Sequence, residues 1–220
     1  PDHPDLERMM LHCIWLGPLT DAVQERVDHF REMAPGWQVM LHTTESDLRP
    51  EYQATYERYA KSPQMKSDFL RHSILQKYGG LYLDIDTILV GTADDVLEHC
   101  DLGRYNFAVL NKGGYYNPDF LYCPAGWDGW PVVNSYFREF ATYRKPLRNV
   151  AFACDLLKHL VAEAPEKVNI IRDLERFARH YFEKGHSGLA LRSEADWRRM
   201  IANYWGMCSH VDTHVGSILR

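Results

Sequence analysis

Apolar positions fall into short runs divided by longer amphipathic stretches, and this alternation predicts an open α/β sheet. His12 to Leu16 (HCIWL) is a compact apolar run closed by Gly17-Pro18, a strand entering a loop. Thr20 is a suitable N-cap, and Val23, Val27, Phe30 and Ala34 recur at helical spacing until Pro35-Gly36 ends the pattern. Trp37 to Leu41 predicts a second strand, so the chain opens strand–helix–strand.

A polar, tyrosine-rich helix is expected over residues 50–61. Ser62-Pro63 then starts a stronger one, with a hydroxyl cap and proline at the first helical position. Phe69, Leu70, Ile74, Leu75 and Tyr78 supply its apolar side, and Gly79 is placed to end it in the left-handed region. Leu81 to Leu83 is the next strand, and Ile88 to Val90 continues apolar. Beyond it, strands are expected over 105–110, 120–123 and 168–171, and helices over 132–143, 151–163, 172–182 and 194–204. KGGYYNPD, residues 112–119, and AGWDGWP, residues 125–131, are expected as loops. No repeat or linker divides the sequence, so a single domain over 1–220 is expected.

The chemistry concentrates where the 81–83 strand runs out. Asp84 and Asp86 are two apart, and side chains at i and i+2 of a strand leave one face, so their carboxylates would converge. Like charges that close need a cation or a proton between them, and a hard divalent metal that also binds phosphate suits the pair. A solvated turn is the competing reading. Asp68 and Arg71, three apart on the preceding helix, share a face. They are either an exposed ion pair of little weight or a pair held at the same cleft, able to bond sugar hydroxyls. Trp15 is equally readable as a core side chain or as a stacking platform.

Composition narrows the class. Hydrophobic residues are 45% and charged residues 25%, as in ordinary globular proteins. A net charge of -5 argues against bulk electrostatic binding of nucleic acid. The five cysteines form no C-x-x-C pair, so neither a disulfide framework nor a zinc ribbon is indicated. No apolar run approaches the roughly 20 residues that span a bilayer. The sequence begins at Pro1, consistent with a trimmed N-terminus, and a cytoplasmic enzyme of bacterial or phage type is expected.

The stretch SDFLRHSILQKYGGLYLDID, residues 67–86, resembles the signature of glycosyltransferases with a D-x-D sugar-binding region, of the family 32 type. That group resembles yeast mannosyltransferases and capsular polysaccharide enzymes and, more remotely, the clostridial toxin glucosyltransferase domains. Ile14-Trp15-Leu16-Gly17 is similar to the first strand of the same enzymes. The resemblance implies a GT-A fold, a Rossmann-like open mixed sheet flanked by helices. It also implies a nucleotide-diphosphate sugar donor, UDP-sugar ahead of GDP-mannose, Mn²⁺ or Mg²⁺, and retention at the anomeric carbon. By position, Trp15 would stack on the base, and Asp68, Arg71 and Tyr82 would line the donor sugar, with Asp68 near the ribose. Asp84 would contact ribose or sugar and reach the metal partly through water, and Asp86 would ligate it directly. The resemblance thus makes Asp84, Asp86 and Arg71 the catalytic set.

Enzymes of this group close the metal site with a ligand near the C-terminus. His214 fits best, with Gly216 and Ser217 following; His210 and Asp212 are the other choices, and Ile218 stands where the family has tryptophan. A frayed tail is the alternative. Two other function classes stay open: a catalytically weak nucleotide-sugar-binding module, and a metallohydrolase built on His210, Asp212 and His214. Tyr116, Asn117, Trp127, Asp128 and Trp130 are expected on the sugar or acceptor lip, because aromatic faces stack on sugars. The acceptor itself, whether glycan, lipid-linked sugar, protein or modified base, is not specified.

Overall fold

The computed structural model describes residues 9–99, 107–112, 115–142, 151–172 and 178–180. The chain divides into two units, Pro1–His180 and Tyr181–Arg220, and the second lies outside the described residues. So do the helix expected over 194–204 and the three tail ligands His210, Asp212 and His214.

In the first unit, β1 (Met10–Ile14), α1 (Asp21–Met33) and β2 (Gln38–His42) form the expected opening. The Thr20 hydroxyl accepts from the Val23 N–H and caps α1, and Val23, Val27 and Phe30 are its buried positions. A 3-10 turn (Pro50–Tyr52) leads into α2 (Gln53–Tyr59), then α3 (Pro63–Tyr78) and β3 (Gly80–Leu83). The remaining elements are β4 (Thr87–Leu89), α4 (Ala93–His99), β5 (Phe107–Lys112), β6 (Tyr115–Cys123), α5 (Trp130–Thr142), α6 (Ala151–Glu163), β7 (Val168–Ile171) and β8 (Ala178–His180).

Six strands make one sheet in the order β2-β1-β3-β6-β5-β7, and β4 pairs with β8 in a two-stranded sheet. β1 is parallel to β2 and β3, β6 is antiparallel to β3 and β5, and β7 is parallel to β5. Alternate residues of the large sheet feed two cores, which is how a mixed sheet is covered on both faces. Tyr82, Val109 and Leu121 join α2, α3, α5 and α6 on one side. Leu81, Leu83, Ala108 and Phe120 join α1 and α4 on the other.

The α3–β3 junction depends on two glycines with positive φ, Gly79 at 67° and Gly80 at 95°. A Cβ on Gly79 would lie 2.8 Å from the Ala125 nitrogen, and one on Gly80 2.5 Å from the Met10 carbonyl oxygen. Both obstacles are backbone, so only glycine lets the helix turn directly into a strand beside β1.

Two expected elements differ. Residues 112–119, expected as a turn, run mostly within β6, because pairing with β5 outweighs the local glycine and proline signals. Pro118 is tolerated there by an irregularity on the β5 side: Val109 pairs with Leu121 while Leu110 pairs with Asn117, so 118–120 have no β5 partners, although Phe120 still pairs with Leu83 of β3. Residues 178–180, expected inside a helix over 172–182, form β8, whose backbone groups are satisfied by β4.

Candidate active site at the end of the third strand

β3 stops at Leu83, and Asp84 enters a turn closed by the Thr87 N–H donating to the Asp84 carbonyl at 2.9 Å. Asp84 and Asp86 therefore stand in a tight turn, not on the continuing strand that the i, i+2 argument assumed. Asp84 is further pinned by its own N–H, which donates to the Asp119 carbonyl on β6 at 3.0 Å.

α3 delivers Asp68 and Arg71 to the same place. The guanidinium is 2.9 Å from the Asp68 carboxylate and 3.4 Å from that of Asp84. It also donates to the Pro118 carbonyl and, at 3.3 Å, to the Ser67 carbonyl, and it stacks over the Tyr82 ring with its carbon 4.8 Å from the centroid. The Tyr82 hydroxyl donates to Asp84 at 2.7 Å. The Pro118 carbonyl that Arg71 meets lies in the segment where β6 is out of register with β5, and bulges are common beside functional sites.

This is no exposed ion pair. Arg71 is 3% and Asp68 8% exposed, whereas the Asp84 side chain keeps 29%. Burial pushes Asp68 up to about 6, only partly opposed by the positive charge of Arg71, with Asp84 adding to the rise. For Arg71, burial disfavours the charge, but Asp84, Tyr82, Asp68 and Asp119 together hold it well above the ordinary guanidinium value. Burial likewise raises Tyr82 well above the usual phenol. One guanidinium thus faces three carboxylates, and Asp86 sits two residues from Asp84. Such a set carries excess negative charge, and a bound cation would relieve it.

Among the described residues no three His, Cys, Asp or Glu side chains are grouped to hold a metal. The set still fits a divalent ion of the kind that takes one or two carboxylates and completes its shell with water and substrate phosphate. Asp86 and Asp84 are the residues that would hold it.

Trp15 lies at the same edge of the sheet. His12 pairs with Tyr82 in parallel register, so Trp15 follows Ile14 out of β1 beside the end of β3. Its backbone N–H donates to the His42 carbonyl at 2.9 Å and its indole N–H to the Pro18 carbonyl at 2.8 Å. Trp15 is half-buried.

Asn117 is brought to the site, since β6 runs antiparallel to β3 and its early residues lie beside Leu83 and Asp84. Tyr116 is half-buried against the α3-side core. The loop 124–130 sits elsewhere. Cys123 pairs with Gly80, which puts that loop at the far end of β3 from Asp84. Trp127 and Trp130 are 4% and 6% exposed, packed around Phe107, and the Trp127 indole donates to the Lys167 carbonyl. The expectation of a stacking lip at Trp127 and Trp130 is corrected accordingly: the rings fill the core. Asp128 is exposed beside Lys167 at 3.0 Å, at that same far edge, and so also leaves the lip.

Sequence reasoning missed Asp119. It is 7% exposed, and the 112–119 segment was expected to be a solvated turn. The available signal was Asn-Pro-Asp itself, an arrangement in which the asparagine side chain bonds backbone two residues on. Burial first, then Asp68 among the neighbouring charges, raises the Cys154 thiol on α6.

Residues 20–102 match the family model described as "Glycosyltransferase sugar-binding region containing DXD motif". The span includes Asp68, Arg71, Tyr82, Asp84 and Asp86 and leaves out Trp15, Asn117 and Asp119. A search of curated proteins found no match. Among solved structures, the chain is similar to the PaToxG glycosyltransferase at a TM-score of 0.54 and 15% identity, covering 71% of this chain and 68% of that one. It is similar to the ligand-free glycosyltransferase domain of the YGT toxin at 0.52 and 9% identity, covering 82% of each. At these identities the likeness is one of fold, and the GT-A architecture implied by the sequence is the one observed. No helix among the described residues is long and apolar enough to cross a membrane. The chain thus has the GT-A fold, and its residues 20–102 match the family model of the D-x-D sugar-binding region of glycosyltransferases.

Proposed function

We propose that the chain is a metal-dependent, retaining glycosyltransferase. It moves a sugar from a nucleotide-diphosphate donor, UDP-sugar ahead of GDP-mannose, to an acceptor hydroxyl. The observation that carries this reading is the buried Asp68–Arg71–Asp84 cluster, locked by Tyr82 and set beside Asp86 at the end of β3. A buried, hydrogen-bonded array of that kind is pre-organised for a polyhydroxylated ligand.

In this reading Trp15 faces the base, and Asp68 and Arg71 bond hydroxyls of the donor sugar. Arg71 is fixed by Pro118, Ser67 and the Tyr82 ring, so its remaining donor capacity points in one direction. Asp84, oriented by the Tyr82 hydroxyl, contacts ribose or sugar. Asp86 and Asp84 would hold Mn²⁺ or Mg²⁺, and such an ion would supply positive charge to offset that of the departing diphosphate. Retention is consistent with the acceptor attacking on the leaving-group side, its proton passing to the diphosphate oxygen, so no separate base is required. We take residues 1–220 as a single catalytic chain.

The test is thermal stabilisation by UDP, GDP and a panel of their sugars, with and without Mn²⁺. Mn²⁺ should strengthen nucleotide binding, Asp86→Asn should abolish that gain, and one donor should be slowly hydrolysed without acceptor. If no nucleotide or nucleotide sugar stabilises the protein, the transferase reading fails. If Asp86→Asn binds as tightly and with the same metal response, the metal assignment fails.

A further inference from the structure

We propose that Asp119 is a specificity-determining residue of the donor-sugar site, fixing the orientation of Asn117 beside the Asp68–Arg71 pair. The proposal rests on the glycosyltransferase reading and deepens it.

Three observations place Asp119 there. Its backbone carbonyl takes the Asp84 N–H at 3.0 Å, so its position and that of the D-x-D turn are set by one bond. The preceding carbonyl, Pro118, takes the Arg71 guanidinium. Its carboxylate is buried in a region where the α3 side of the sheet already holds Asp68 and Arg71. The charge of Asp119 also acts on Arg71 and on the Cys154 thiol of α6, which ties it to the same cluster.

Its grip on Asn117 is two-pronged. The Asn117 amide nitrogen donates to the Asp119 carboxylate at 2.9 Å, and the Asp119 backbone N–H donates to the Asn117 side-chain oxygen at 3.3 Å. An amide held at both ends cannot flip, so its nitrogen and oxygen are presented in one sense only. Its second N–H and second lone pair stay available, since a primary amide offers two donors and two acceptor sites. Asn117 is half-buried and therefore within reach of a ligand. Antiparallel pairing of β6 with β3 sets Phe120 opposite Leu83, so Asp119 and Asn117 follow past the end of β3. A sugar that meets Asn117 past the end of β3 would meet a fixed pattern of donors and acceptors. Sites of that type discriminate strongly between hydroxyl arrangements, because a wrong one leaves buried polar groups unpaired.

The consequence separates sugar from nucleotide. Asp119 bears on the sugar hydroxyls, whereas base and diphosphate are held elsewhere. Affinities for UDP and for each member of a UDP-sugar panel, with Mn²⁺, are measured on the full chain and on Asp119→Asn and Asp119→Ala. The preferred UDP-sugar should bind both variants about 10- to 100-fold more weakly, the loss expected when a charge-assisted hydrogen bond is broken. UDP itself should bind within about 2-fold of the unaltered chain, which also reports that the variants are folded. The preference among sugars should flatten in parallel. Equal losses for UDP and UDP-sugar, or no loss in either, would overturn the assignment. An unaltered chain that binds no nucleotide overturns the transferase reading and this assignment with it, a result distinct from either.

Discussion

Replacing Arg71 with Met removes the one positive charge from the buried cluster while keeping much of the side-chain volume. Asp68, 2.9 Å from the guanidinium, and Asp84, 3.4 Å away, would lose their shared counter-charge, and the Pro118 carbonyl would lose its donor. Breaking a buried pair by removing one partner costs about 3–5 kcal/mol, because the other partner stays buried and uncompensated. Arg71 and Asp68 are both nearly inaccessible, so solvent screening does little to reduce that figure. For a chain of this size each kcal/mol moves the midpoint by about 2–4 °C, so Tm should fall by roughly 6–20 °C. Equilibrium denaturation and thermal melts of the ligand-free protein measure it. Adding Asp68→Leu to the variant should recover part of the loss, since the orphaned carboxylate is then gone. The deficit should also narrow on acidification, as the carboxylates left without Arg71 take up protons. A fall below about 1 kcal/mol, or no recovery in the double variant, would refute the claim that Arg71 balances this cluster.

Two further tests address the scaffold. His72 on α3 is fully buried, and among the described residues neither ring nitrogen has a hydrogen-bond partner; burial, then the nearby Arg71 charge, lowers its pKa to about 3. The folded state therefore disfavours protonated His72, so its contribution is present above the unfolded value of about 6.5 and is lost as pH falls from there toward 3. His72→Leu should flatten the stability–pH curve over that window and leave pH 8 stability equal or higher; an unchanged acid limb would count against the assignment. Gly80→Ala should cost more than Gly36→Ala although both glycines have positive φ. The first meets the Met10 carbonyl oxygen at 2.5 Å and the second nothing within 4 Å. Strain alone accounts for about 1–2 kcal/mol at Gly36, and similar losses at both sites would show that β1 yields at Gly80.

The sequence determined the parts of this protein that obey local rules. Thr20 and Ser62 mark the starts of α1 and α3 because a hydroxyl acceptor there satisfies an otherwise unpaired helix N–H. Gly79 and Gly80 mark the α3–β3 junction, and the residues from Ser67 to Asp86 announce the site, since helix, glycine stop, strand and aspartates are consecutive in the chain. What it could not supply was pairing between distant segments. Pro118 and Asp119 reach Arg71 and Asp84 because β6 lies antiparallel to β3, with Phe120 opposite Leu83. The tryptophans at 127 and 130 read as a surface lip because aromatic loop residues are ambiguous until the sheet fixes which end they stand at. Strand order, register and burial are decided by contacts across tens of residues. They added Asp119, a fourth carboxylate, to the Asp68, Asp84 and Asp86 already legible in sequence.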